Sequence, residues 1–149
     1  MLIINADDFG RSVSETDAAL ECNRAGRVTS VTAMVFMNDS ERAAQLALAN
    51  SISAGLHLNL TESFAAVSAS SALTERHERV VRFLTRSKYD SLIYNPTLSN
   101  DFRYIYETQI DEFIGLYGHP PSHIDGHQHQ HLCANVLLDG VIPRGLKVR

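Results

Sequence analysis

Leu2-Ile3-Ile4-Asn5-Ala6-Asp7-Asp8-Phe9-Gly10 opens with a short β-prone apolar run that breaks into polar chemistry where the first strand stops. Either Ser12 or Ser14 can then cap a helix through Ala18, Ala19, Leu20 and Cys22, and Gly26 ends it as a C-cap glycine. The pair of carboxylates therefore lies at the end of a strand in a βα unit. Residues 28–36, rich in β-branched side chains, repeat the pattern as strand two, and Asn38-Asp39-Ser40 caps a helix through Ala43, Ala44, Leu46 and Ala47. Residues 52–60 read as strand three, carrying His57. A long amphipathic helix is expected from about residue 101 to 117, with Phe102, Ile105, Tyr106, Ile110, Phe113 and Ile114 on one side; Gly118 and Pro120-Pro121 end it. Residues 122–127 read as strand four, 132–138 as a short helix, and 146–149 as the beginning of a fifth strand. The stretch 61–100 reads as helical and loop insertions, with no chemical role assigned.

Strands that alternate with helices predict a parallel sheet, because a parallel crossover needs a long connection and a helix is the usual one. The expected fold is α/β in one domain. At 149 residues and 44% hydrophobic content the chain matches ordinary single-domain proteins. The 17 acidic residues against 13 Lys and Arg give a formal charge of -4, which argues against a nucleic-acid partner. No apolar stretch approaches the roughly 20 residues of a membrane helix, and the start lacks a basic leader. Cys22 and Cys133 are far apart, without CxxC spacing. That pattern suits a reduced compartment, and a cytoplasmic protein with both thiols buried is expected.

Five of the seven histidines, His119, His123, His127, His129 and His131, fall within one short run. In extended backbone His123, Asp125, His127 and His129 would share one face at steps of about 6.6 Å. They cannot all reach one ion; one, His127 foremost, would ligate while Asp125 or another histidine orients it. His57 alternates with Leu56 and Leu58, so His57 and Asn59 share a face. By the same alternation Asp7 and Asp8 point apart, which gives them different jobs: one binds a metal and the other takes a proton from water. Alone, Asp-Asp is equally a capping or turn element. His77, His119 and His131 are expected in solvent. Asp7 and Asp8, His57 and the histidine run can meet only at the carboxyl edge of the sheet, where α/β folds place their sites.

Asn5-Ala6-Asp7-Asp8-Phe9-Gly10, the Val28-Thr29-Ser30 strand, Gly55-Leu56-His57-Leu58-Asn59-Leu60-Thr61 and His123-Ile124-Asp125-Gly126-His127-Gln128-His129 together resemble the successive motifs of the YdjC-like carbohydrate deacetylases. Chitooligosaccharide deacetylases and hopanoid-associated proteins belong to that family. The resemblance implies a (β/α) barrel related to the NodB-type polysaccharide deacetylases, and hydrolysis of N-acetyl groups on amino sugars. It also implies a metal triad at Asp8, His57 and His127, with Asp7 as the general base. Asp125, His129 and Asn59 are then expected behind the ligands or against substrate. The family's usual metal is Mg2+, whereas two imidazoles and one carboxylate suit Zn2+ or another transition ion better.

A complete (β/α)8 barrel takes about 250 residues, so this chain corresponds to roughly four βα units and a strand stub. Family members continue further, adding a late histidine motif that would serve as general acid. The short chain is accordingly expected to be weakly stable or to self-associate, and to bind metal yet deacetylate poorly. The alternatives are a metal phosphoesterase, which would need ligands for two ions, and an impaired metal- or sugar-binding fragment.

Overall fold

The computed structural model describes residues 3–149. Strands β1 (Asn5–Phe9), β2 (Ser30–Ala33), β3 (Ser53–Leu58) and β4 (Ile124–Gly126) are parallel and lie in the order β1-β2-β3-β4. Sequential order means that the chain winds in one direction, as in a barrel; a doubly wound sheet would reverse it. Residues 146–149 extend this arc by one parallel bridge, Ile124 to Val148. The Ile124 N–H donates to the Lys147 carbonyl at 2.9 Å, and the Arg149 N–H to the Ile124 carbonyl at 3.0 Å. The fold is α/β, and the arc is part of a (β/α) barrel.

The crossovers run through helices. α1 (Val13–Arg24) starts at Ser12, the effective one of the two candidate caps, whose Oγ accepts from the Glu15 N–H. α2 (Ser40–Ala49) leads to β3. The stretch 61–100 contains α3 (Ser71–Leu84) and two short 3-10 turns before α4 (Ser99–Tyr117), which Gly118 closes at φ +72° by donating its N–H to the Ile114 carbonyl. α5 (Ala134–Leu138) follows β4. Among the described residues no helix is long and apolar enough to cross a membrane.

Period-two alternation gives the sheet two unlike faces. Val31, Ala33, Ala54, Leu56, Leu58 and Ile124 are almost wholly buried and join the apolar core with Leu73, Val80 and Leu84 of α3 and Phe102, Ile105 and Phe113 of α4. Each large side chain buried there contributes about 1.5–3 kcal/mol. Asn5 and Asp7, Ser30 and Thr32, Ser53 and His57, and Asp125 occupy the alternate positions and form a polar face. Asn5, Ser30 and Ser53 from that face, with Lys147, Val148 and Arg149, line a groove of about 650 Å³.

Three expectations change. The first strand begins at Asn5 rather than in the apolar run: Leu2 lies outside the described residues, and Ile3 and Ile4 are largely exposed. Pairing with β2 decides this, since the register Asn5 to Ser30 draws the carboxylate-bearing segment itself into the sheet. The second strand is shorter than expected because the chain turns after Ala33, reaching φ +59° at Phe36. Cys133 is buried, but Cys22, on the outer side of α1, is exposed.

β3 and β4 approach closely at Gly55. A Cβ there would stand 2.6 Å from the His123 carbonyl oxygen and 2.7 Å from the His123 ring. Backbone cannot move aside cheaply. Gly55→Ala is expected to cost about 1–3 kcal/mol, seen as a lowered thermal midpoint; an unchanged midpoint would show that the two strands are not so tightly apposed.

Candidate metal centre

β1 carries both aspartates, and its pairing with β2 slips between Ala6 and Phe9. Asp8 takes φ +60°, a left-handed conformation that Asp tolerates better than most residues. Extended backbone would have pointed Asp7 and Asp8 to opposite faces. The bulge instead brings the Asp8 carboxylate to the carboxyl edge, while Asp7 keeps its place on the polar face. There Asp8 Oδ1 lies 3.1 Å from His57 Nε2 and 3.0 Å from His127 Nδ1.

His57, near the end of β3, sits opposite Asp125 of β4 in the strand register. Its Nδ1 is 2.6 Å from Asp125 Oδ1. A carboxylate there can only accept, so the ring donates through Nδ1 and leaves Nε2 toward Asp8. Burial opposes the charge on Asp125, but hydrogen bonds from His57 and from Arg149 outweigh it and hold its pKa below the ordinary value. Thr32 Oγ1 also donates to Asp125 Oδ2 at 3.1 Å.

β4 ends at Gly126, and residues His127–Leu132 form a kinked 3-10 turn in which Gln128 and His129 are left-handed. The expected common face of His123, Asp125, His127 and His129 therefore ends with the strand, because the turn rotates the later side chains out of the alternation. His127 reaches the centre and is buried; His129 is exposed. His131, expected in solvent, is turned inward against Gly126, and its Nε2 lies 3.0 Å from the Arg149 carbonyl oxygen. His77, also expected in solvent, is buried on α3 and stacked on Phe64 at 4.0 Å between ring centroids. His119 is exposed.

Asp7 accepts from Asn5 Nδ2 at 2.8 Å and from Arg149. Burial raises its pKa, but the Arg149 and Asn5 hydrogen bonds prevail and hold it below the ordinary carboxylate value. Asn59 faces elsewhere. Its Oδ1 accepts from the Glu62 N–H at 2.9 Å and its Nδ2 donates to the Glu62 carbonyl at 2.6 Å, closing the turn after β3.

Sequence reasoning passed over Glu62, Arg11, Arg149 and Gln109. Glu62 Oε2 lies 3.3 Å from His127 Nε2 and 2.8 Å from Arg11 Nε. Buried Gln109 on α4 donates to the Asn59 carbonyl at 2.8 Å and accepts from its N–H at 2.9 Å. Gln109 falls among the apolar positions of its helix, and a polar residue in that stripe was the available signal.

One ligand atom from each of Asp8, His57 and His127 can be chosen so that all three lie within 4.8 Å of one another. This donor set fits a transition ion such as Zn2+. Both imidazoles also place their remaining nitrogen beside a carboxylate, as metal-bound histidines usually do. Asp7, His57 and Asp125 meet the same distance limit but fit less well. Asp125 is already engaged by His57, Thr32 and Arg149.

A family model described as YdjC-like protein matches residues 1–148. A carbohydrate deacetylase from Mus musculus is 36% identical over 140 residues, covering 91% of this chain and 44% of its own length. A chitooligosaccharide deacetylase from Proteus mirabilis is 35% identical over 138 residues, covering 92% and 52%. Among solved structures, an Enterococcus faecalis protein provisionally described as a cellobiose-phosphate cleavage protein aligns with a TM-score of 0.65 and 26% identity, over 93% of this chain and 52% of its own. The chain thus spans about half the length of the relatives it matches.

The buried His77 gives the site's support a pH signature. Its Nε2 lies 3.2 Å from the Asn59 carbonyl oxygen, and burial lowers its pKa from 6.5 to about 4. The folded state therefore holds His77 neutral at a pH where the unfolded chain protonates it. Its contribution is complete above about pH 6.5 and is lost as pH falls toward 4, with a slope of up to about 1.4 kcal/mol per pH unit. Unfolding midpoints between pH 7 and 4.5 should fall more steeply in the wild type than in His77→Gln; parallel curves would show that His77 does not titrate in this way.

Proposed function

The chain belongs to the YdjC-like family, and from that membership and the site geometry we propose that it acts in metal-dependent removal of N-acetyl groups from amino sugars or chito-oligosaccharides. The convergence of His57 Nε2 and His127 Nδ1 on Asp8 Oδ1, at 3.1 and 3.0 Å, carries the reading. Asp8, His57 and His127 would hold the ion. When bound, it would polarise the acetyl carbonyl and make water more acidic.

The protein's own groups do the rest. Asp125 keeps the His57 ring turned so that Nε2 faces the centre. Asp7 is kept ionised by Arg149 and Asn5, and one of its oxygens can be grouped with His57 and Asp125 within 4.8 Å. From there it accepts the proton of the attacking water. The water oxygen bonds to the acetyl carbon, the carbon–nitrogen bond breaks, and acetate and the sugar amine leave, the amine taking up a proton. The names of the Mus musculus and Proteus mirabilis relatives support this reaction class. Two imidazoles to one carboxylate favour Zn2+ over the Mg2+ of the family resemblance. Two-ion phosphoester hydrolysis is disfavoured, because the two clusters among the described residues have only an imidazole, His57, in common and no carboxylate to bridge two ions.

Asp7→Asn is expected to bind Zn2+ within a few-fold of wild type and, in any length of the protein that releases acetate from an N-acetylglucosamine oligomer, to lose about 100- to 10,000-fold of that turnover. Calorimetry and an acetate assay on the same preparations separate the two effects. Loss of binding and turnover together would make Asp7 a ligand and overturn its role as base.

A further inference from the structure

Among the described residues, Glu62 has contacts that the reaction scheme leaves unused. It lies just beyond β3, in the stretch to which the sequence assigned no chemistry. Its backbone is fixed twice by the Asn59 carboxamide, through the N–H at 2.9 Å and the carbonyl at 2.6 Å. Asn59 is itself clamped to α4 by Gln109, at 2.9 and 2.8 Å. The Glu62 carboxylate is held from the other side by Arg11 Nε at 3.0 and 2.8 Å, and Arg11 Nη1 bonds Glu15 at 2.9 Å and approaches Asp8 at 3.8 Å. A long, partly exposed side chain is thereby confined at both ends. Its Oε2 is aimed at His127 Nε2, 3.3 Å away, while His127 Nδ1 faces Asp8.

A neutral imidazole carries one proton on one of two nitrogens, and only the bare nitrogen can ligate. Resting on the metal reading above, we propose that Glu62 is the positioning residue for His127. Its carboxylate takes the Nε2–H, so the ring offers Nδ1 to the ion. His57 is set the opposite way, with Nδ1–H on Asp125 and Nε2 toward the centre. The two histidines therefore ligate through different nitrogens, each chosen by its own carboxylate. Glu62 does for His127 across a loop what Asp125 does for His57 across a strand pair.

The test uses the full chain with Glu62→Met, which removes the acceptor at similar length, and Glu62→Gln, whose carboxamide oxygen still accepts. Zn2+ affinity is measured by calorimetry. Long-range proton–nitrogen correlation of the Zn2+-loaded protein reads which His127 nitrogen is protonated, a signature that a merely structural role would not move. Wild type should show His127 ligated through Nδ1 and protonated at Nε2. Glu62→Met should bind Zn2+ about 10- to 100-fold more weakly, and Glu62→Gln should recover most of that loss. Wild-type affinity in Glu62→Met, or ligation of His127 through Nε2, would overturn the proposal. Glu62→Gln binding as weakly as Glu62→Met would also overturn it, since the carboxylate would then act as a ligand or a charge rather than as the acceptor. A wild-type chain that binds no ion would overturn the metal reading itself, an outcome distinct from equal binding by wild type and Glu62→Met.

Discussion

His57 Nδ1 and Asp125 Oδ1 meet at 2.6 Å because the register of β3 and β4 sets the two residues side by side. Both side chains are almost fully buried. A buried carboxylate without partners would be strongly disfavoured, and here every partner comes from a different part of the chain: His57 from β3, Thr32 from β2 and Arg149 from the segment beside β4. The polar face of the sheet thus closes only when the strands stand in their observed order. The same contact turns the His57 ring, so register, packing and ligand orientation follow from one interaction.

Around it the carboxyl rim departs from regular backbone. Asp8, Phe36, Gln128 and His129 all have positive φ, conformations that cost on the order of 1–3 kcal/mol each for non-glycine residues and concentrate where function requires an unusual geometry. At Asp8 the departure moves a carboxylate from a strand face to the edge. At Gln128 and His129 it ends the alternation after Asp125, so that His127 stays at the centre while His129 goes to solvent. Apolar packing beneath, by Leu56, Leu58 and Ile124 against Phe102 and Ile105, holds the rim in place.

Much of this was legible in advance. Alternating strand and helix signals give the parallel α/β arrangement, and the motifs at Asp7-Asp8, His57 and His127 all fall on the carboxyl side. What escaped were features created by tertiary contact. The inward turns of His77 and His131 follow from packing against Phe64 and Gly126, which local charge pattern cannot reveal. Glu62 sits in a loop of unremarkable composition, and only the Asn59 and Arg11 contacts give it a direction. The Asp8 bulge is invisible in a dipeptide that reads equally well as extended chain or turn. Simple alternation was sound in β2, β3 and β4, and misleading at the β1 bulge and past the strand ends.

We propose that one ion is held by Asp8, His57 and His127. The most direct measurement is anomalous diffraction at the zinc edge from crystals of this chain grown with Zn2+. The expected result is one strong peak about 2.0–2.2 Å from an Asp8 carboxylate oxygen, His57 Nε2 and His127 Nδ1. A peak placed instead among Asp7, His57 and Asp125, or zinc bound elsewhere with these three residues left hydrogen-bonded to one another, would contradict it.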